Sequence, residues 1–594
     1  MLISLLIVHH VCLIAVHCQP GITLPFYPAL DKEEGLRHHN SGMNKLQTER
    51  VLYMKILSVL AVLILLSCTV ISPALAGGNP AADKEVRVDD VVFQEGWDMK
   101  DQHRVFYEIF VGSFSDSNGD GIGDLQGIIN RMDYLNDGDP QSGRSLGVEG
   151  IWLTPVFTSP TYHKYDVTDY YTIDPQFGTM EDLQELITLC HERDVKLILD
   201  LPLNHTGNRC AWYKRFVNAH LLHNPDSEYY DFYTWLDADA TAPAGRRFNP
   251  DFQTGVLVEG NFSSSMPELN YDNEQVRQAV LDVGRYYLEM GVDGFRFDAA
   301  KYLYLGEHEK NVAFWRWYME ELKKINPDVY AVAEVWDGDG IINRYLPCFN
   351  CFRFSTSQAE GLIAATAAAG DVNKLTTATE RYLNEIHAIN PEAMNIPFIA
   401  NHDTDRAAGY LTMASGRMQM AASLYLLAPG SPFIYYGEEI GLRGSRGGES
   451  TDANRRLAMM WGDGETVRDP SGSTYTKQTK YSAKDLLEMK GSLPNHYKKL
   501  IMVRKANPEI ARGTYTALSF TDTKAGGFLC EWNGSTVAVI HNTTERTVTL
   551  DLAGVTDRTF TTLSAVIECL PGTGGAELNG TQLTLGSQTS VVLR

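Results

Sequence analysis

Between residues 105 and 436 the chain alternates short, continuously apolar runs with longer segments in which apolar residues recur every third or fourth position. The runs fall at 105–111, 148–153, 195–201, 292–297, 329–335, 396–400 and 432–436. Their length and lack of polar alternation predict strands buried on both faces, as in a parallel sheet. The stretches at 180–193 and 273–290 carry the period of amphipathic helices. Strands alternating with helices predict parallel βα units, and a closed barrel of such units needs an eighth strand. The missing one is the sixth, placed at 351–354, where the text is short and polar. The expected fold class is α/β, a (β/α)₈ TIM barrel.

Two stretches break the alternation. Residues 205–270 are polar, aromatic and proline-containing, and read as a domain inserted after the third strand, overhanging the face where barrel loops build sites. After residue 512 short strands alternate with turns, as at Asn533-Gly534, which predicts a C-terminal antiparallel β-sandwich. The organisation is thus 1–76 upstream segment and signal, 77–100 linker, 101–204 first barrel part, 205–270 inserted domain, 271–511 second barrel part and 512–594 C-terminal domain.

Near the start, Lys55 precedes an apolar run at 56–66, and Ala74-Leu75-Ala76 follows. This is the pattern of a secretory signal cleaved after Ala76, so the protein is expected to be secreted. An uncleaved anchor, or a lipid on Cys68, would instead tether it to a membrane. Met54 is an alternative start, because residues 1–53 carry a separate apolar stretch. Of the nine cysteines six follow Ala76, an even number that permits disulfides in an exported protein. Cys348-Phe349-Asn350-Cys351 stands alone, without the second ligand pair of a zinc site, and reads as a local disulfide or two ordinary thiols. A net charge of −23 opposes binding to a polyanion, which argues against nucleic acid, but leaves neutral sugars and cations as partners.

Four segments at the ends of predicted strands concentrate carboxylates and imidazoles. They are Asp200-Leu201-Pro202-Leu203-Asn204-His205, Arg296-Phe297-Asp298-Ala299-Ala300-Lys301, Glu334-Val335-Trp336 and Asn401-His402-Asp403. Cleaving a glycosidic bond needs one carboxylate as nucleophile and one carboxylic acid as proton donor. Strand alternation puts Arg296 and Asp298 on one face, where the cation should keep Asp298 ionised for attack. Glu334 ends the next strand, where the like charges of Asp298 and Asp403 should raise its pKa and hold its proton. Taken singly, each segment is as well read as a helix cap or a salt-bridge partner.

Together and in this order, the four segments resemble the signature regions of the α-amylase family of glycoside hydrolases (family 13). The resemblance extends from about residue 104 to the C-terminus, through Tyr162-His163-Lys164-Tyr165-Asp166 and Tyr435-Tyr436-Gly437-Glu438-Glu439. It implies Asp298 as nucleophile, Glu334 as acid/base and Asp403 as a third carboxylate that grips sugar hydroxyls. It also implies substrate contacts from His163, Tyr165, Asp166, His205, Arg296, Lys301, Trp336, His402 and Arg406. Met266-Pro267-Glu268-Leu269-Asn270 is similar to a motif of members intermediate between oligo-1,6-glucosidases and neopullulanases. Asp116, Asn118, Asp120, the Ile122 carbonyl and Asp124 place oxygens at alternate positions of a glycine turn, as a Ca²⁺ loop does, although Gly127 stands where an EF-hand has Glu. Lys301-Tyr302 departs from the His that many calcium-dependent members carry there, and Tyr162 stands near the position where exo-acting members usually carry an Asp, whose absence here favours an internal cut.

The expected activity is therefore retaining hydrolysis of internal α-1,4 bonds in starch, glycogen and maltodextrins by a monomer. The same triad serves exo-acting α-glucosidases, neopullulanase-like enzymes and 4-α-glucanotransferases. A rival of another class is a non-catalytic, membrane-anchored amylase-like partner protein, which has no chemical need for the full carboxylate set.

Overall fold

The computed structural model describes residues 91, 93, 96–411, 415–447 and 452–594; the signal, the anchor alternative and Cys68 lie outside the described residues. Six parallel strands, β1 (Phe106–Ile109), β2 (Gly150–Leu153), β3 (Lys196–Leu201), β4 (Gly294–Phe297), β5 (Tyr330–Ala333) and β6 (Asn350–Cys351), pair in sequence order, and β7 (Phe433–Tyr435) pairs β1 on the other side. Their side chains are nearly all buried, because one face fills the barrel and the other meets helices.

The sixth strand sits at 350–351, just before the expected 351–354, where Phe354–Thr356 is a 3₁₀ turn. The expected strand at 396–400 is not a regular strand. It closes the gap between β6 and β7 through a parallel bridge of Phe352 with Ile396 and bonds Arg353 N–H to Ile396 O, 3.1 Å, and Phe433 N–H to Pro397 O, 3.0 Å. Pro397 accepts but has no N–H to donate, so a full ladder cannot form.

Helices wrap the sheet where the period predicts. Met180–Glu192 starts in a capping box in which Thr179 and Asp182 satisfy each other's backbone N–H. Glu274–Met290 starts at an Asn273 cap and stops at Gly291, φ 109°. The insertion after β3 holds a helix, Ala211–Leu221, and three short antiparallel strands, Trp235–Leu236, Phe248–Pro250 and Leu257–Glu259. Its two ends are laced together: Leu269 N–H donates to Asn204 O at 3.1 Å and Thr206 N–H to Pro267 O at 3.1 Å.

From Thr514 a five-stranded and a three-stranded antiparallel sheet follow, with Leu518, Ile540, Leu583, Leu585, Val591 and Leu593 buried in their shared core. Asn533 (φ 49°) and Gly534 (φ 79°) make the expected two-residue hairpin turn between paired Trp532 and Ser535. All six described cysteines are buried free thiols, so neither the C-x-x-C nor any other pair is a disulfide here. Among the described residues no helix is long and apolar enough to cross a membrane.

Candidate active site

The strand ends converge on a cleft of about 980 Å³ lined by Tyr162, His163, Tyr165, His205, Asp298, Glu334, Trp336 and Asp403, and by Phe262 and Met266 of the insertion. Asp298 follows β4, and the next residue, Ala299, takes the left-handed conformation (φ 49°), a strained turn that ends the strand at the carboxylate expected to react. The ends of β4 and β5 are tied by Glu334 N–H to Phe297 O, 2.9 Å, and Ala300 N–H to Glu334 O, 3.1 Å.

Arg296, fully buried, organises the floor. Its Nη1 donates to Asp298 Oδ1 at 2.6 Å and to Asp200 at 2.9 and 3.0 Å, while its Nη2 donates to Glu334 Oε2. One guanidinium therefore spans both carboxylates expected to do the chemistry, which the strand alternation did not reveal for Glu334. Opposite them, Asp403 accepts from Arg456 Nη2 at 2.8 Å and from His402 Nε2 at 2.9 Å. Arg456 also donates to the Tyr162 hydroxyl at 3.0 Å.

The protonation states differ by environment. Burial pushes Asp298 up to about 6 against the pull of Arg296, so the cation limits the rise but does not abolish it, a correction to the expectation from sequence. Burial, more than the neighbouring Asp298 and Asp403, pushes Glu334 up to about 7 despite Arg296. Burial would also raise Asp403, but His402 and Arg456 outweigh it and hold that carboxyl far below the usual range. The site thus combines a proton-holding carboxyl, a carboxyl that ionises before it and a permanent carboxylate.

His402 itself lies beneath the cleft, and Tyr165 stacks on it at 5.5 Å and bonds Asp200 at 2.9 Å. His205 is buried beside Phe262 and is held neutral at about 4 by burial. His163 is likewise pushed down to about 4 by burial and the nearby Arg456. Asp166 is buried under the wall, accepting from the Ser159 and Thr161 hydroxyls. Lys301 binds the Trp336 carbonyl at 2.7 Å and Asp337 at 2.9 Å, fixing the loop after Glu334. Arg406 is not brought to the cleft: it is buried, donates to the carbonyls of Tyr436 (2.6 Å) and Arg455 (2.8 Å), and lies over the Tyr435 and Tyr436 rings. Glu108 and Arg456 belong to the site but were not singled out from sequence, and Asp200, which opens the first of the four segments, had been given no role of its own. A lone carboxylate in the apolar run at 105–111 was the available signal for Glu108.

In the candidate calcium loop, Asp116 accepts from the N–H groups of Asn118, Gly119 and Gly121 at 2.7–3.0 Å and from the Thr466 hydroxyl at 2.7 Å. Asp124 caps the helix Leu125–Asn130 through Gly127 N–H at 2.6 Å and also accepts from Ser117. The ligand types suit a hard cation, but the carboxylates are turned to the loop's own donors. Among the described residues no three acidic, His or Cys side chains form a metal-holding group.

Residues 108–513 match the family model for the alpha-amylase catalytic domain. Alpha-amylase 3 of Dictyoglomus thermophilum is 36% identical over 454 residues, covering 74% of this chain and 85% of that protein. The 4-alpha-glucanotransferase of Thermotoga neapolitana is 32% identical over 345 residues, covering 57% and 72%. Among solved structures, Eubacterium rectale Amy13B superposes with a TM-score of 0.76 at 32% identity, covering 83% of this chain and 96% of that one. The alpha-amylase from H. orenii superposes at 0.71 and 34% identity, covering 83% and 99%.

Proposed function

The chain belongs to the α-amylase family of glycoside hydrolases, and on that premise we propose that it hydrolyses internal α-1,4 bonds of starch, glycogen and maltodextrins with retention of configuration. The observation that carries this reading is the single Arg296 fork between Asp298 and Glu334 at the floor of an open cleft. In the proposed cycle Asp298 attacks the anomeric carbon as Glu334 gives its proton to the departing oxygen. Glu334 then takes a proton from water, whose oxygen displaces Asp298. Asp403, held ionised, accepts sugar hydroxyls across the ring. An internal cut is supported by Tyr162, a neutral residue bonded to Arg456, in place of a carboxylate that would grip a chain end. Calcium in the 116–124 loop and export by the N-terminal segment are part of the same proposal, supported by ligand type and by the signal pattern.

A second reading, glucanosyl transfer, is favoured by the aromatic wall. Trp336 stacks on Phe354 at 4.9 Å, and Phe262 packs on Tyr302 at 5.0 Å, with both Trp336 and Phe262 exposed to the solvent side. Such faces bind an acceptor sugar in place of water. Digestion of maltoheptaose followed by NMR and chain-length analysis tests both. Hydrolysis gives only shorter products that appear first as the α-anomer, whereas products longer than seven units establish transfer. First appearance of the β-anomer, or full activity in Glu334→Gln, overturns the retaining reading.

A further inference from the structure

At the bottom of the cleft His402 is enclosed by acceptors. Its Nδ1 lies 2.5 Å from Glu108 Oε1, and its own backbone N–H reaches the same oxygen at 3.3 Å. Its Nε2 lies 2.9 Å from Asp403 Oδ2 and 2.7 Å from the Tyr165 hydroxyl. The Tyr165 hydroxyl has one proton and places it on Asp200 Oδ2, 2.9 Å away, so towards His402 it can only accept. Glu108 Oε1 receives the backbone N–H, and as a carboxylate it can only accept from the ring as well. Both imidazole nitrogens must then donate, which only the imidazolium can do. Glu108 and His402 are fully buried, and Trp152 packs edge-on against the ring at 5.7 Å. The charged groups facing His402 from its surroundings are Glu108 on β1, Asp403 on its own loop, Asp200 on β3 beyond Tyr165, and Arg456, whose Nε donates to the His402 carbonyl at 3.1 Å.

We propose that Glu108 is a positioning residue of the active site: it holds His402 as a fixed cation, and through that cation orients Asp403 for the sugar. The inference rests on Asp298, Glu334 and Asp403 being the reacting set. Glu108 is not among the residues that line the cleft, and its side chain bonds His402. Burial alone would deprotonate the ring; Asp403 and Glu108 overcome it and push His402 up to about 10. Gln at 108 keeps an oxygen that accepts both N–H groups but removes the charge. Since one opposite charge at contact shifts a pKa by about 1–3 units, Glu108→Gln brings the imidazole down by that amount.

The test uses the full-length protein with ¹⁵N-labelled histidine, His402 being assigned by its loss in His402→Gln. Wild type is expected to keep both His402 nitrogens protonated to pH 9, and Glu108→Gln to titrate about 1–3 units lower. The ratio of kcat between Glu108→Gln and wild type should fall as that imidazole loses its proton, with a midpoint that matches the ¹⁵N titration of His402 in the variant. In the His402→Gln background, Glu108→Gln should cost no further kcat, because Glu108 acts only through the ring. An unchanged His402 titration, a kcat ratio flat with pH, or additive losses in the double variant each overturn the proposal. The titration reads out whichever glucan is the substrate, so failure of the proposed activity is separable from failure of this inference. If Glu108→Gln does not fold, a neutral His402 at pH 8 in the wild-type spectrum is by itself decisive against it.

Discussion

Replacing Arg296 by Met removes the only cation that contacts Asp200, Asp298 and Glu334 among the described residues. Loss of a cation at contact raises a carboxyl by about 1–3 units. Asp298, at about 6 with Arg296 in place, should therefore rise to about 8, taking the middle of that range. At pH 6.5 its ionised fraction then drops from about three-quarters to about 3%, a roughly 25-fold loss of the proposed nucleophile from protonation alone. Glu334 rises as well and keeps its proton, so the whole activity profile should move to higher pH instead of merely shrinking. Initial rates on maltoheptaose between pH 4.5 and 9 would show Arg296→Met gaining relative to wild type as pH rises, with both midpoints displaced upwards. Removing one partner of a buried ion pair costs about 3–5 kcal/mol, so melting must be followed in parallel, with Arg296→Lys as the folded intermediate. A profile whose midpoints stay in place while its height falls would refute the electrostatic account of the site.

Two further outcomes follow from the buried groups and the loop. Burial lifts Glu438 to about 8 and Glu268 to about 7, as it does Glu334, so each folded carboxyl holds a proton that the unfolded one has already lost. Stability from these groups is full below the unfolded carboxylate range and is lost as pH rises through 7–8; buried His205, His496 and His541, pushed down to about 4, contribute stability above 6.5 that is lost as pH falls through 4. Calorimetry should find the melting temperature falling from pH 6.5 to 8.5, and a rise would contradict the assignment. For the 116–124 loop, EDTA should lower the melting temperature and added Ca²⁺ restore it, with kcat at low temperature little altered; no thermal shift removes calcium from the reading.

The strands were legible because their residues are buried on both faces and so read as unbroken apolar runs. The segment at 396–400 has the same composition, yet Pro397 keeps it from a regular ladder, a backbone effect that hydrophobicity does not register. Asp298, Glu334 and Asp403 were legible because strand ends on one barrel rim must converge. What was not legible is how partners from remote parts of the chain meet: Arg456 reaches Asp403 from a loop beyond β7, and Glu108 reaches His402 across 294 positions. Arg406 carried the appropriate charge near the fourth segment but is consumed by backbone carbonyls. The source of the pKa shifts was also hidden, because the degree of burial, not the neighbouring charge, contributes most to them.

The lacing of the inserted domain at Asn204 and Leu269 means that its two ends leave the barrel within one hydrogen bond of each other. To the barrel, sixty-odd residues therefore occupy the footprint of a tight turn, and the cost of closing that turn grows only slowly, by about 0.6 kcal/mol per doubling, with the length of what lies beyond it. The wall that carries Phe262 and Met266 hangs on this single covalent doorway, and what else fixes it is side-chain packing, such as Trp212 on Tyr170 and Phe262 on Tyr302. Changes of length within it therefore reach the cleft through those contacts and leave the covalent path of the strands as it is.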